Sequence, residues 1–318
     1  MNNKKYDVIT VGELNVDLIL NKIESFPEIG KEKLAEEMTL TLGSSSAIFA
    51  SNLSSLGGKV AFIGKIGKDS FGYLVINSLN KKRVSAEFII TDEEDTTGLT
   101  VVLNFDDDRA NVTYPGAMNN MTGEDVTEDK LSQAKHMHVA SVFLQPGIKK
   151  DILSIFKRAK KLGLTTSFDP QWDPAEKWDL NLEELLPYID VFLPNEVEIM
   201  KLTGENSFEN AIRKVSKFGK IIAVKAGSKG SYVYDGNVIS HMPAFLNEEI
   251  VDAIGAGDSF DAGFIFNFVN GKSITECQQF GNLCGAINTT QAGGTTAFTD
   301  YETIMNIAEE KFGVKHFA

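Results

Sequence analysis

Cysteine is scarce: Cys277 and Cys284 are the only two in 318 residues. Their spacing matches neither a Cys-x-x-Cys redox pair nor a zinc knuckle. On a predicted helix they lie two turns apart on one face and read as buried small apolar residues, in keeping with a reducing, cytoplasmic setting. Basic residues are outnumbered, 31 against 44 acidic, leaving a formal charge of -13. Such a surface repels phosphate backbones and anionic membranes, so nucleic acid and lipid surfaces are not expected as partners, and any anionic ligand needs a local positive site. Long apolar runs are missing as well. No stretch approaches the ~18 residues that span a bilayer, and Asp7 and Glu13 interrupt the apolar segment behind Lys4 and Lys5, so no secretory leader is expected.

The chain is otherwise ordinary for a globular protein, with 42% hydrophobic and 24% charged residues, enough for a large core. No linker, repeat or low-complexity stretch divides residues 1–318, which predicts a single domain. Residues 8–12 and 60–64 are short apolar runs closed by glycine. Between them, residues 44–56 predict a helix with a serine start and a glycine stop. Ile152, Ile155, Phe156, Ala159 and Leu162 recur at helical spacing until Gly163. Strands are predicted at 164–168, 191–193 and 221–224, with helices through Leu202 and over 211–218. This alternation predicts an α/β fold, a mostly parallel, doubly wound sheet with helices on both faces. Two segments, residues 13–42 and 96–119, break the rhythm. The second holds two apolar runs, 99–105 and 110–114, joined by Asp106-Asp107-Asp108-Arg109, a hairpin signal. Together they predict a small β-sheet lid built from insertions.

The most informative motif is Gly255-Ala256-Gly257-Asp258, which leads directly into the apolar helical run 260–268. With almost no side chains in the way, backbone N–H groups at a helix start can converge on an anion. Asp258 in the same turn can take a proton from a hydroxyl while those N–H groups hold phosphoryl charge. Other glycine-loop chemistries are absent: there is no Gly-x-x-x-x-Gly-Lys-Ser/Thr. A dinucleotide fingerprint would need a glycine at Phe260 and would normally lie on the first strand, which ends instead in Gly12-Glu13-Leu14-Asn15. On the next predicted strand, alternation puts Asn15 and Asp17 on one face, where two short polar groups can fix two hydroxyls. His136 and His138 also alternate on a strand, without an evident third metal ligand.

Taken together, the chain resembles the ribokinase-like, or PfkB, carbohydrate kinases over nearly its full length. Asp252 to Asp258 resembles that family's C-terminal signature, with Ala253 in place of the usual threonine. Gly43 to Gly67 resembles its N-terminal signature, continued by Gly64-x-x-Gly67-x-Asp69-x-x-Gly72. The resemblance implies transfer of the ATP γ-phosphoryl group to a sugar hydroxyl, with Asp258 as general base and the amides of Gly255, Ala256, Gly257 and Asp258 as the anion hole. It implies sugar contacts from Asn15, Asp17, Gly43 and Ser44. Asn195-Glu196-Val197-Glu198 resembles the Asn-x-x-Glu motif, with Asn195 handling phosphate and Glu198 ordering magnesium through water. Lys225, Gly227, Ser228 and Gly230 resemble the nucleotide-binding turn, and Asn282 stands where the family contacts adenine. Asp252, Ile254 and Gly293 fall where some members bind a monovalent cation, which brings potassium alongside ATP and magnesium. A homodimer joined through the lid sheets is implied as well.

The sequence also departs from the family. The usual Gly-Gly at the helix entry is Gly43-Ser44, and the sugar-touching asparagine of that signature is Ile48. A strand end that often carries a sugar-binding glutamate reads Ser141-Val142-Phe143. Where relatives read Asp-Pro-Asn-x-Arg, this chain has Asp169-Pro170-Gln171-Trp172-Asp173, which counts against a sugar acid unless Arg109 supplies the charge. The acceptor therefore stays open between a sugar and a nucleoside. A catalytically silent sugar-binding regulator is the reading motivated by Ile48 and Phe143, and a dinucleotide-dependent dehydrogenase is disfavoured by the first strand.

Overall fold

The computed structural model describes residues 4–105 and 108–315, apart from the side chains of Asp108 and Arg109. In chain order the strands are β1 (Tyr6–Val11), β2 (Asn15–Ile23), β3 (Ala35–Leu42), β4 (Val60–Ile63), β5 (Lys65–Gly67), β6 (Ile90–Asp92) and β7 (Gly98–Phe105). They continue with β8 (Asp108–Tyr114), β9 (Ala134–Ala140), β10 (Thr165–Asp169), β11 (Val191–Phe192), β12 (Ile221–Lys225), β13 (Ser231–Tyr234) and β14 (Ile239–Met242). The runs that are apolar throughout, such as β4, are buried along their whole length, as a strand covered on both faces must be.

Eight strands form the main sheet in the order β14–β13–β12–β11–β10–β9–β1–β4. The stretch from β4 to β12 is parallel, and β13 and β14 add an antiparallel edge. Helices Pro146–Lys161, Glu196–Thr203 and Phe208–Val215 bury their apolar stripes on one face. Helices Ser45–Ser55, Ser70–Lys81 and Ala256–Val269 cover the other. Helices Ile274–Asn288 and Tyr301–Phe312 pack outside them around a further apolar cluster. Ser45–Ser55 and Ala256–Val269 are buried nearly all round, and their sequences accordingly lack a polar face. Cys277 and Cys284 lie inside these layers, and burial pushes the Cys277 thiol up to about 12.

The chain runs from β1 out to β4 and then returns to β9 on the far side of β1, so strand order reverses about β1. Ligands of open parallel sheets bind at such a reversal, outside the carboxyl ends of the strands. The two segments that broke the helical rhythm form a separate four-stranded sheet, β3–β2–β7–β8. The Gly67-x-Asp69-x-x-Gly72 signature anchors its second half. Asp69 caps helix Ser70–Lys81 through Gly72 N–H at 2.8 Å and accepts Thr97 N–H at 2.7 Å, just ahead of β7. A Cβ at Gly67 would lie 2.5 Å from the Asp95 carbonyl, so glycine alone lets that loop approach.

Candidate active site

Five loops leave the carboxyl ends of the parallel strands on one side of the main sheet. They carry Glu13 after β1, Ser141 after β9, Asp169 at the end of β10, Asn195 after β11 and Lys225 at the end of β12. The N-terminus of helix Ala256–Val269 faces them, and the four-stranded sheet closes one side. The cavity between these parts has a volume of about 830 Å³.

Gly255 caps the helix with φ +78°, and a Cβ there would lie 2.7 Å from Gly294 Cα. The left-handed turn and the close approach both require glycine. Ala256 N–H is taken by the Ala253 carbonyl at 3.2 Å. The amides of Gly257 and Asp258 belong to the first turn, where helix geometry supplies no acceptor. At Gly257 a Cβ would meet nothing nearer than the Lys225 side chain at 3.7 Å, so the absent side chain leaves room in the cavity for a ligand. Asp258, 7% exposed, lines that same space.

A buried charge network surrounds Asp258. Gln171 Nε2 donates to Asp258 Oδ1 at 2.9 Å and to Asp169 Oδ2 at 2.6 Å. Lys225 Nζ lies 2.7 Å from Asp169 and 3.0 Å from Asp261. Burial, and then the Asp169 charge, push Asp258 up to about 7 against the opposing pull of Lys225. The same two causes push Glu198 up to about 8. Burial also holds Asp261 well above the usual carboxylate range. Burial would lower Lys225, but Asp169, Asp261 and Glu198 outweigh it and the lysine is held charged. Four carboxyl groups thus surround one ammonium, and two of them, Asp258 and Glu198, are poised near neutrality, as acid–base sites often show.

The opposite wall is one face of the small sheet. Asn15, Asp17, Thr100, Val102, Asn111 and Thr113 all line the cavity, brought together by the period of two and the register of β2, β7 and β8. Asn15 Nδ2 donates to Asp17 Oδ1 at 3.0 Å and to Thr100 Oγ1 at 3.1 Å. Gly43 stands directly behind them, since a Cβ there would lie 2.2 Å from Asp17 Oδ1. Ser44 sits at φ 73°, a left-handed conformation that costs a side-chain-bearing residue about 1–3 kcal/mol. Its hydroxyl offsets part of that cost by capping Ala47 N–H at 2.9 Å and donating to the Glu13 carbonyl at 2.7 Å.

A family model for pfkB family carbohydrate kinases matches residues 5–300. The chain belongs to the pfkB family of carbohydrate kinases. This carbohydrate kinase is 31% identical over 235 residues to an uncharacterized sugar kinase of Archaeoglobus fulgidus, covering 74% of this chain and 92% of that one. It is 29% identical over 271 residues to ribokinase of Lactococcus lactis, with coverage of 85% and 86%. The structure of Arabidopsis thaliana ribokinase complexed with ribose and ATP superposes with a TM-score of 0.83 at 25% identity, over 95% of this chain and 98% of that one. The chain is thus a phosphotransferase of sugar alcohols with a ribokinase fold.

The remaining expected positions of the kinase divide into those that reach the cavity and those that do not. Asn195, Glu198, Lys225, Gly227, Ser228, Gly230 and Asn282 all line it. Asn195 and Glu198 also form a reciprocal capping box, each binding the other's backbone N–H at 2.9 Å. Gly230 has φ +94°, and a Cβ would collide with the Met242 carbonyl at 2.0 Å. Asn282 Nδ2 is turned onto the carbonyls of Met242 and Pro243, both at 3.2 Å. Ile254 lines the cavity, while Asp252 and Gly293 lie behind it. Arg109, on β8, is paired with Asn104 of β7, but its side chain lies outside the described residues.

Two departures from the family signatures lie away from the cavity. Phe143 packs edge-on against Trp178, with ring centroids 5.6 Å apart. Asp173 is buried and accepts the N–H groups of Ala175, Lys177 and Trp178. Neither lines the cavity, whereas Ile48 does. His136 and His138 share the Ser167 hydroxyl at 2.7 and 2.8 Å, and burial pushes His136 down to about 3, so both are neutral core residues. The site also contains groups that carry no expected role in the motifs: Asp169, Gln171, Asp261 and Glu13.

Proposed function

We propose that this kinase uses ATP and transfers its γ-phosphoryl group to a sugar hydroxyl, with Asp258 as general base. The reading is carried by the placement of Asp258: a buried carboxyl poised near pH 7, in the helix turn whose open amides face the same cavity. The acceptor hydroxyl gives its proton to Asp258 as its oxygen bonds to the γ-phosphorus and the bond to the β-phosphate oxygen breaks. The amides of Gly257 and Asp258 receive the charge on the moving phosphoryl group. Lys225, Gly227, Ser228 and Gly230 hold the phosphates of the nucleotide. Leu246, Ile250, Asn282 and Ala286 wall an apolar slot suited to a base.

The residues present fit magnesium. Asp169, Glu198, Asp258 and Asp261 outnumber the single lysine among them, and Glu198 faces the cavity. No three metal-binding side chains converge among the described residues, which suits an ion held mainly by water and phosphate oxygens, with Glu198 acting through water. When bound, magnesium would offset the charge of the β- and γ-phosphates.

The small sheet would hold the acceptor through Asn15 and Asp17 and, as a lid, keep water from the phosphoryl group. Its other face carries Met38, Leu40, Val112 and Tyr114, all 40% exposed or more. An apolar outer face on a sheet whose inner face is polar suits pairing with the same sheet of a second copy. Sedimentation should give twice the chain mass, falling to that of one chain for Leu40→Lys; a wild type of single mass removes the pairing.

The activity itself is tested by ADP release with a panel of ribose, fructose, ketodeoxygluconate, inositol, adenosine and inosine. Ile48, Leu144 and Trp172 give the acceptor end an apolar side, which favours a nucleoside as the second reading. Asp17→Ala should raise the acceptor KM by about tenfold to a hundredfold, the loss of a charged hydrogen bond, with the ATP KM unchanged. Equal losses for both substrates would remove Asp17 from the acceptor site. Tight sugar binding without ADP release would make the protein a silent regulator.

A further inference from the structure

The turn that leads into the anion-hole amides, residues 252–255, packs against the segment 288–298. The Asp252 carboxylate and the Ile254 carbonyl at this junction are oxygens that a resident monovalent cation would use. The chain's own donors take them instead. Asp252 Oδ1 accepts Ile254 N–H and Oδ2 accepts Gly293 N–H, each at 2.9 Å. The Ile254 carbonyl accepts Asn288 Nδ2 at 2.6 Å. The Gly294 carbonyl accepts Asn52 Nδ2 at 2.9 Å. The carbonyls of Thr295 and Phe298 accept the Lys82 ammonium at 2.8 and 2.6 Å.

Asn288 is fully buried, and its placement is fixed at both ends. Its Oδ1 lies 2.9 Å from the Ser259 hydroxyl, which also reaches the Gly255 carbonyl at 2.7 Å. Asn52 Nδ2 donates to that same hydroxyl at 2.9 Å. One polar network therefore joins helices Ser45–Ser55, Ala256–Val269 and Ile274–Asn288 to the glycine turn.

A monovalent cation replaces its hydration shell with several oxygens aimed at one point. Here the Ile254 carbonyl is aimed at an amide, the Asp252 carboxylate at two N–H groups, and the neighbouring carbonyls at a tethered ammonium. The donor set does not fit potassium. We propose that Asn288, bonded to the anion-hole turn, and Lys82, bonded to the segment packed against it, are positioning residues that stand in for a monovalent cation, so that the kinase works without one. Lys82 brings the positive charge, and the Asn288 amide supplies the directional bond that orients the turn.

This rests on the kinase reading, so the test has one readout that does not. ADP release is compared in potassium and in choline salts at equal ionic strength, and the thermal midpoint is measured in the same buffers. For the wild type the same kcat, KM and midpoint are expected in either salt; activation or stabilisation by potassium overturns the proposal. Asn288→Ala frees the Ile254 carbonyl. It should lower kcat by about tenfold to a hundredfold, as small misplacements at a reacting centre do, with little change in acceptor KM. Potassium should then recover part of the rate and raise the midpoint. An Asn288→Ala variant with wild-type kcat in choline contradicts a positioning role. Lys82→Arg, which keeps the charge, should behave as wild type, while Lys82→Met should lose rate and midpoint; equal behaviour of the two overturns the role of the ammonium. If no acceptor supports ADP release, the midpoints alone decide between the bound-cation and tethered-donor structures.

Discussion

Asp258→Asn is expected to leave the chain folded and ATP bound, and to lower kcat by about a hundredfold to ten-thousandfold, the usual contribution of a general base. Asparagine matches the shape of the carboxyl group, and its side-chain oxygen can still accept Gln171 Nε2, now 2.9 Å away. The native carboxyl is disfavoured as an anion by burial and by Asp169, so a neutral replacement relieves repulsion rather than adding it. The thermal midpoint should therefore hold or rise while turnover collapses. A variant with near-normal kcat would show that another group takes the proton. A variant that is inactive because it unfolds would contradict the electrostatics described for the site.

Lys225→Met is expected to weaken nucleotide binding and, unlike Asp258→Asn, to cost stability as well. Lys225 is buried between Asp169 and Asp261, each about 1% exposed. Removing the ammonium leaves buried carboxylates without their counter-charge, a loss of about 3–5 kcal/mol for a broken buried pair. Urea unfolding near neutral pH should show this as a lower midpoint with an unchanged slope. The pH dependence has a definite sign. Burial already raises the native pKa of Asp261, and loss of Lys225 raises it further. A carboxyl whose native pKa lies above its unfolded value binds its proton more readily when folded, so the deficit should shrink as pH falls. A variant as stable as wild type at neutral pH would mean that the carboxyl groups are protonated even with the lysine present.

Much of the fold is legible in the sequence because its parts are local. Glycine-closed apolar runs and helices at 3.6 spacing predict strands and helices within a few residues of where they form. The two segments without helical period become the small sheet. Helix Ala256–Val269 begins at the glycine run itself, four residues ahead of its apolar stretch, since Gly255 caps it and Asp258 already lies in the first turn.

The site is legible where one stretch of chain makes it. Gly255 to Asp258 and the turn from Lys225 to Gly230 are such stretches. The network around Asp258 is not, because Asp169 and Gln171 come from the end of β10 and Asp261 from a helix some ninety residues further along the chain. Asp261 hides in an apolar helix, where an acid three residues after Asp258 reads as an ordinary first-turn charge. The one clue is that this helix lacks a polar face to hold it. Counting along the chain also cannot tell where Phe143 and Asp173 point. Neither lines the cavity: one packs on Trp178 and the other accepts backbone N–H groups. Among the departures from the family signatures, Ile48 and Gln171 do line the cavity.

The most direct test of Asp258 as the base is the pH dependence of kcat/KM for the acceptor, measured in the wild type and in Asp258→Asn. The wild type should lose activity as pH falls through about 7, where Asp258 takes up its proton, by tenfold per pH unit below it. That limb should be missing from the residual activity of Asp258→Asn. The same limb persisting in the variant would assign the proton transfer to a different group.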